Sequence, residues 1–368
     1  MCLNDLFAML SQVRHVAARG MNRFPKALAI AGSVLLSSLP MHSALAQGAL
    51  PSHVPVPADN PMTAAKINLG KQLYFDPRLS SSGTVSCNAC HNVMSNGTDN
   101  LSLSLGVFGK VDKPRNTPTV FNAAFHAVQF WDGRAPSLEE QAKGPLLNPV
   151  EMGMPSGQAV ADRVRAIPGY RAAFAKVFGG AEPVTLENIV KAIATYERTL
   201  ITPNSPYDRF VKGDKNALGP AARRGLHVAQ AEGCFACHSG PLFNGTQEAT
   251  GKAFYAKFPI FTHNAYVKKY HLMADLGRYN VTHRAADKHL WHVQSWRNVA
   301  LTAPYFNNGS VKTLDEAVRV MAKTQLNKTL TRAQVKDIVA FLNSLTGQFP
   351  QETAPRLPQT PDISLLAN

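Results

Sequence analysis

Two stretches of this sequence hold residues whose types and spacing suit redox chemistry. "SCNACH" contains Cys87, Cys90 and His91, and "GCFACH" contains Cys234, Cys237 and His238. Two thiols and an imidazole in that order can hold a haem covalently, with the histidine on one face of the iron. The chain has five cysteines. Cys2 stands apart, so the two motifs use all the rest. Exported proteins often pair cysteines as disulfides, and paired C-x-x-C units also bind zinc. Neither alternative has a use for a histidine after each second cysteine. The reading is two covalently bound c-type haems, with His91 and His238 on their irons.

The group opposite each histidine decides whether an iron carries electrons or does chemistry. An internal repeat separates the two cases. Each haem motif is followed by an Arg-Asn pair, Arg115-Asn116 and Arg297-Asn298. Then come "FWDGRAPSLEE" (130–140) and "FNNGSVKTLDE" (306–316), which share a Phe, a Gly, a capping Ser or Thr, a Leu and two acids. Ser137 with Glu140, and Thr313 with Glu316, predict capping boxes. In the second copy, "TLDEAVRVMAK" runs unbroken and returns Met321 to the Leu314 face. A thioether opposite histidine makes an electron-transfer pair with a raised potential. In the first copy, Gly144-Pro145 predicts that the helix ends within two turns. No methionine occupies the matching place, and a carboxylate, Glu151, lies downstream. One iron is expected to be closed by sulfur and the other left open beside an acid. A core methionine and a surface acid are the plain alternatives for Met321 and Glu151.

These residues need a scaffold, and its signals are helical. Thr63 to Phe75, Thr185 to Leu200 and Thr331 to Leu345 each show three-to-four-residue apolar spacing after a threonine able to cap. Alternating strand patterns are scarce. The expected fold is mainly α: two cytochrome-c-like haem domains with long loops. "LPSHVPVPADNP" and "FPQETAPRLPQTP" read as extended arms, and Thr202 to Pro206 as a candidate linker. The first 46 residues read as an upstream extension plus a secretory signal peptide, with a basic region at 21–26, a short apolar run and a cleavage site after Ala46. No later run approaches 18 apolar residues, so no membrane span is expected after cleavage. The net charge of +14 stays strongly positive without that segment, which carries four basic residues and one acid. The basic residues are scattered and no nucleic-acid motif is present, so a solvated basic surface is the reading and no nucleic-acid partner is expected.

Nearly the whole length after residue 46 resembles the bacterial dihaem cytochrome c peroxidases. The motifs that carry the resemblance are "LGKQLYFDPRLSSSGTVSCNACH", "RNTPTVFNAAF", "QFWDGRAPSLEEQAKGPLLNPVEMG", "AIATYERTLITPNSPYDRF", "RNVALTAPYF" and "TLDEAVRVM". It implies reduction of hydrogen peroxide to water in the periplasm, with a small cytochrome or cupredoxin as electron donor. It implies a peroxidatic, low-potential haem domain over 47–203, an electron-transfer, high-potential haem domain over 204–350, and a Pro-rich arm over 351–368. It puts His238 and Met321 on the electron-entry iron, Glu151 and Gln141 in the peroxide pocket, and Trp131 between the haems. It also implies a calcium ion held by Asn116, Thr302 and Pro304, and makes a homodimer possible. Two departures stand out. Many relatives carry an iron-gating histidine where this chain has Val107, so the peroxidatic iron is expected to lack that gate unless Met94 or His126 substitutes. Asn307 replaces a common histidine in "PYFNNG". A MauG-like oxidase acting on a partner protein is the nearest rival, although that branch has tyrosine in place of Met321. A dihaem electron carrier without catalysis is the other.

Overall fold

The computed structural model describes residues 48–111, 115–245 and 251–360. The expected signal peptide and the last eight residues of the C-terminal arm lie outside them. The first half contains α1 (Ala64–Phe75), the single turn α2 (Cys87–Cys90), α3 (Leu138–Leu147), α4 (Gly157–Arg165), α5 (Pro168–Phe178) and α6 (Leu186–Glu197). The second contains α7 (Pro206–Val211), α8 (Pro220–Ala231), α9 (Ala265–Lys269), α10 (Tyr279–Thr282), α11 (Leu314–Leu326) and α12 (Arg332–Asn343). One antiparallel pair, β1 (Tyr255–Lys257) and β2 (Leu290–His292), sets Tyr255 opposite His292. Among the described residues no helix is long and apolar enough to cross a membrane.

The three strongest helix signals form as expected. Thr63, Thr185 and Thr331 cap α1, α6 and α12 by accepting from the backbone N–H three residues on. Two other expectations need correction. Ser137 and Thr313 cap α3 and α11, but the reciprocal half of each box is absent from the described bonds. Glu140 instead pairs with Lys143, and Glu316 accepts from the Tyr270 hydroxyl and Lys269. Nor does Gly144-Pro145 end α3, which runs on to Leu147. Pro145 gives up its own N–H bond and crowds the carbonyl four residues back, yet the helix continues past it and the Asn148 N–H still reaches the Gly144 carbonyl at 2.9 Å.

The two halves repeat one arrangement. Gly70 lets α1 lie close against α6, because a Cβ there would sit 1.9 Å from the Ala192 carbonyl oxygen. Gly225 does the same for α8 and α12, 1.9 Å from the Asp337 oxygen. Asn122 and Asn298 both adopt left-handed backbone and open a 3-10 turn, and eight residues later Phe130 and Phe306 are left-handed too. Both asparagine amides donate to the Thr202 hydroxyl, at 2.7 and 2.8 Å. The repeat therefore pairs Asn298 with Asn122, six residues after Asn116, the partner expected from the Arg-Asn dipeptides. Thr202 and Ser205 are fully buried, so the candidate linker is a bonded seam between the halves.

One apolar core draws on residues 69–200 and packs α1, α5 and α6 around Tyr74, Tyr170, Phe174 and Tyr196. A second packs α8 and α12 around Phe235, Phe243 and Phe341, and a third gathers Trp291, Tyr305 and Val320. The arm after Pro350 returns to the first half. Arg78 donates to the Pro358 carbonyl, and Gln72 to that of Arg356.

Candidate active site

Each C-x-x-C-H motif sits on a single helical turn beside its own core. All four cysteines are free and half-buried. Burial pushes Cys90 and Cys234 up to about 11, which keeps them as thiols. His91 donates from Nδ1 to the Pro118 carbonyl at 3.0 Å, and His238 to the Phe243 carbonyl at 2.8 Å. That bond fixes the tautomer and leaves Nε2 as the free lone pair, the arrangement a metal-binding imidazole needs. Burial lowers both imidazole pKa values, that of His238 to about 4, so both rings are neutral and competent to ligate. Unbonded thiols beside neutral, oriented imidazoles fit covalent haem. His238 also stacks on Trp296 at 4.2 Å, which ties it to the second core.

Val107 meets Glu151 through the backbone, and Gln141 precedes Glu151 by ten residues in the chain. Gln141 lies on the second turn of α3. Beyond Leu147 the chain turns tightly, and Glu151 N–H donates to the Asn148 carbonyl at 3.1 Å. The Asn148 amide returns to Glu151 Oε1 at 3.0 Å, which orients the carboxylate. Val107 is 1% exposed within the first core, and its N–H donates to the Glu151 carbonyl at 2.9 Å. Gly106 permits that approach, since a Cβ would lie 1.7 Å from the Val150 oxygen. The valine is thus locked against the backbone of the candidate acid. The other two candidate gate residues are Met94 and His126. Met94 is 53% exposed. The His126 ring packs edge-on against His292 at 5.6 Å, and both Nε2 atoms are buried without a partner.

Trp131 is held on several sides. Its indole N–H donates to the Asn116 carbonyl at 2.8 Å, and its own carbonyl accepts from His292 N–H at 3.0 Å. The next residue, Asp132, accepts from Arg115 at 2.6 Å and from Arg134. Arg115 also pairs with Asp275 at 2.7 Å, and Arg278 reaches the Asp132 carbonyl at 2.8 Å. Sequence reading missed Asp275, Arg278 and His292 as supports of this tryptophan. Asp275 and Arg278 offer only charge as an early signal, His292 acts through its backbone N–H on β2, and the partners of all three lie far off in sequence.

Met321 lies mid-helix on α11, half-buried against the third core. The calcium candidates fall near a carbonyl-rich turn. The Asn116 amide donates to the Leu101 carbonyl at 2.8 Å, and Thr302 hydroxyl to that of Val299 at 3.2 Å. Pro304 follows a cis bond, and the preceding Ala303 carbonyl accepts from Asn100 at 2.8 Å. The Asn307 carbonyl accepts from Asn116 N–H, which joins the two repeats.

This architecture matches a solved structure described as a MauG-like protein associated with microbial copper homeostasis. The TM-score is 0.70 at 29% identity, over 81% of this chain and 95% of that one. The fold and its two attachment motifs define a largely helical dihaem c-type protein. Residues 64–216 match the family model described as di-haem cytochrome c peroxidase. The chain is 44% identical to the cytochrome c551 peroxidase of Nitrosomonas europaea over 83% of its length and 86% of that protein's. It is 43% identical to the protein of the same name from Pseudomonas aeruginosa, over 86% and 88%. It belongs to the di-haem cytochrome c peroxidases, a family of oxidoreductases.

Proposed function

We propose that this protein reduces hydrogen peroxide to water in the periplasm with electrons from a small cytochrome c or cupredoxin, whose acidic surface would suit this basic chain. Residues 47–203 form the peroxidatic domain and 204–350 the electron-entry domain. Two haems, when bound, would supply the redox chemistry: peroxide reduction in the first half and one-electron transfer in the second. His91 and His238 hold them, and Met321 completes the second. Glu151 would serve as the acid–base group that moves a proton between the two peroxide oxygens, so that one leaves as water. Gln141 orients the peroxide by hydrogen bonding. Trp131 lies on the route between the halves, and Asn116 with the Thr302 and Pro304 carbonyls offers oxygen ligands for a calcium ion that stiffens that route.

The observation that carries this reading is the packing of Val107 into the core against Glu151. The gating segment brings neither imidazole nor thioether to the first station, and it holds the acid in place. The fully oxidised holoprotein should therefore turn over peroxide without prior reduction. Stopped-flow mixing of oxidised protein with peroxide, then with reduced cytochrome c, tests this. A lag abolished only by pre-reduction would contradict it. Met321, in place of tyrosine, favours a peroxidase over a MauG-like oxidase.

A further inference from the structure

The repeat supplies an internal comparison that points to a second redox feature. Tyr74 lies four residues after Gly70, and its hydroxyl donates to the His91 carbonyl at 2.8 Å. It meets Tyr196 of α6 edge-on, with ring centroids 5.2 Å apart. Tyr196 in turn donates to Glu352 Oε2 at 3.0 Å, and Lys71 pairs with that same oxygen at 2.7 Å. Both tyrosines are fully buried. The matching places in the second half hold Ala229, four residues after Gly225, and Phe341, whose Cβ faces Gly225 as that of Tyr196 faces Gly70. At these matching positions, two tyrosines stand beside His91 where the second half has alanine and phenylalanine.

We propose that Tyr74 and Tyr196 form a one-electron relay away from the first haem station, in which Tyr196 is oxidised and Glu352 takes its proton. The proposal rests on the reading of the His91 station as the peroxidatic one. The electron leaves the Tyr196 phenol and passes through Tyr74 to an oxidising equivalent left there by peroxide. The phenolic proton crosses to the Glu352 carboxylate. The products are a neutral tyrosyl radical, a protonated Glu352 and a station reduced by one electron. Tyr74 donates to an amide carbonyl, a poor proton acceptor, so the radical settles on Tyr196. Burial raises the Tyr196 pKa, with the Glu352 charge adding to it, so the proton leaves only together with an electron. Such a relay drains oxidising equivalents when no donor is at hand.

The test mixes fully oxidised holoprotein with hydrogen peroxide, without donor, and follows rapid freezing by electron paramagnetic resonance. Optical spectra of the same samples report whether the haem reacts. A tyrosyl signal is expected, altered when the protein carries ring-deuterated tyrosine and lost in Tyr196→Phe. That variant should fold, since Phe341 fills the equivalent place. Glu352→Gln should also lose the signal while the optical response remains. An optical response with no tyrosyl signal in the wild type, or a signal that survives Tyr196→Phe, would overturn the relay and leave the peroxidase reading standing. A signal unchanged in Glu352→Gln would overturn the proton assignment. No optical response at all would overturn the peroxidase reading and the relay together.

Discussion

At the residue scale, function turns on groups held by short, local bonds. The Glu151 carboxylate is oriented by the Asn148 amide three residues before it. Glu151→Gln should leave both haems attached and their spectra largely unchanged, yet lower peroxide turnover by roughly 10²-fold or more, the range for lost general acid–base catalysis. Steady-state kinetics beside optical spectra of the purified variant check this. His126 and His292 lead to a different expectation. Burial depresses them to about 4 and about 3, so they are neutral in the folded protein at neutral pH. The unfolded chain protonates its histidines below about 6.5. The stability contribution is therefore fully present above that pH and is lost as pH falls toward the folded values. The slope is about 1.4 kcal/mol per pH unit for each imidazole. Denaturant unfolding across pH 4–7 should show it, and His126→Phe should flatten the curve by one proton's worth.

At the element scale, close helix crossings and a docked loop set the geometry. Gly70→Ala would drive a methyl group into the Ala192 carbonyl and pry α1 from α6. A loss of about 1–3 kcal/mol or more is expected from such overpacking, read as a lowered thermal midpoint. Gly225→Ala should cost a similar amount at the α8–α12 crossing. Much at this scale was legible in the sequence, because the signals are local. A threonine before an apolar period capped α1, α6 and α12. Other features were not, because competing partners decide them. The Glu316 carboxylate leaves its cap for a tyrosine 46 residues away in sequence. The repeat is legible at Phe130 and Phe306, whereas its extension back to the two Arg-Asn pairs is six residues out of register. The Arg-Asn dipeptide is a chemical likeness, whereas the true counterpart of Asn298 is set by the left-handed backbone of Asn122.

At the scale of the whole molecule, the halves share a plan but differ where chemistry enters. The two C-x-x-C-H motifs are legible because covalent attachment and ligation of a haem would need those residues contiguous. The scaffold around Trp131 was not. Arg115 and Asp275 are 160 residues apart, and nothing local in either announces the pair. Arg115→Ala should loosen the turn that carries Trp131 and slow electron transfer between the haems, while peroxide still reacts with the oxidised first haem. Pulsed reduction followed at two wavelengths separates those steps. The central claim is the asymmetry itself: one iron closed by Met321, the other open beside Glu151 and Val107. Electron paramagnetic resonance of the fully oxidised holoprotein tests it most directly. The account predicts a high-spin ferric signal from the first haem beside a low-spin signal from the second. Two low-spin signals, with no high-spin component, would contradict it.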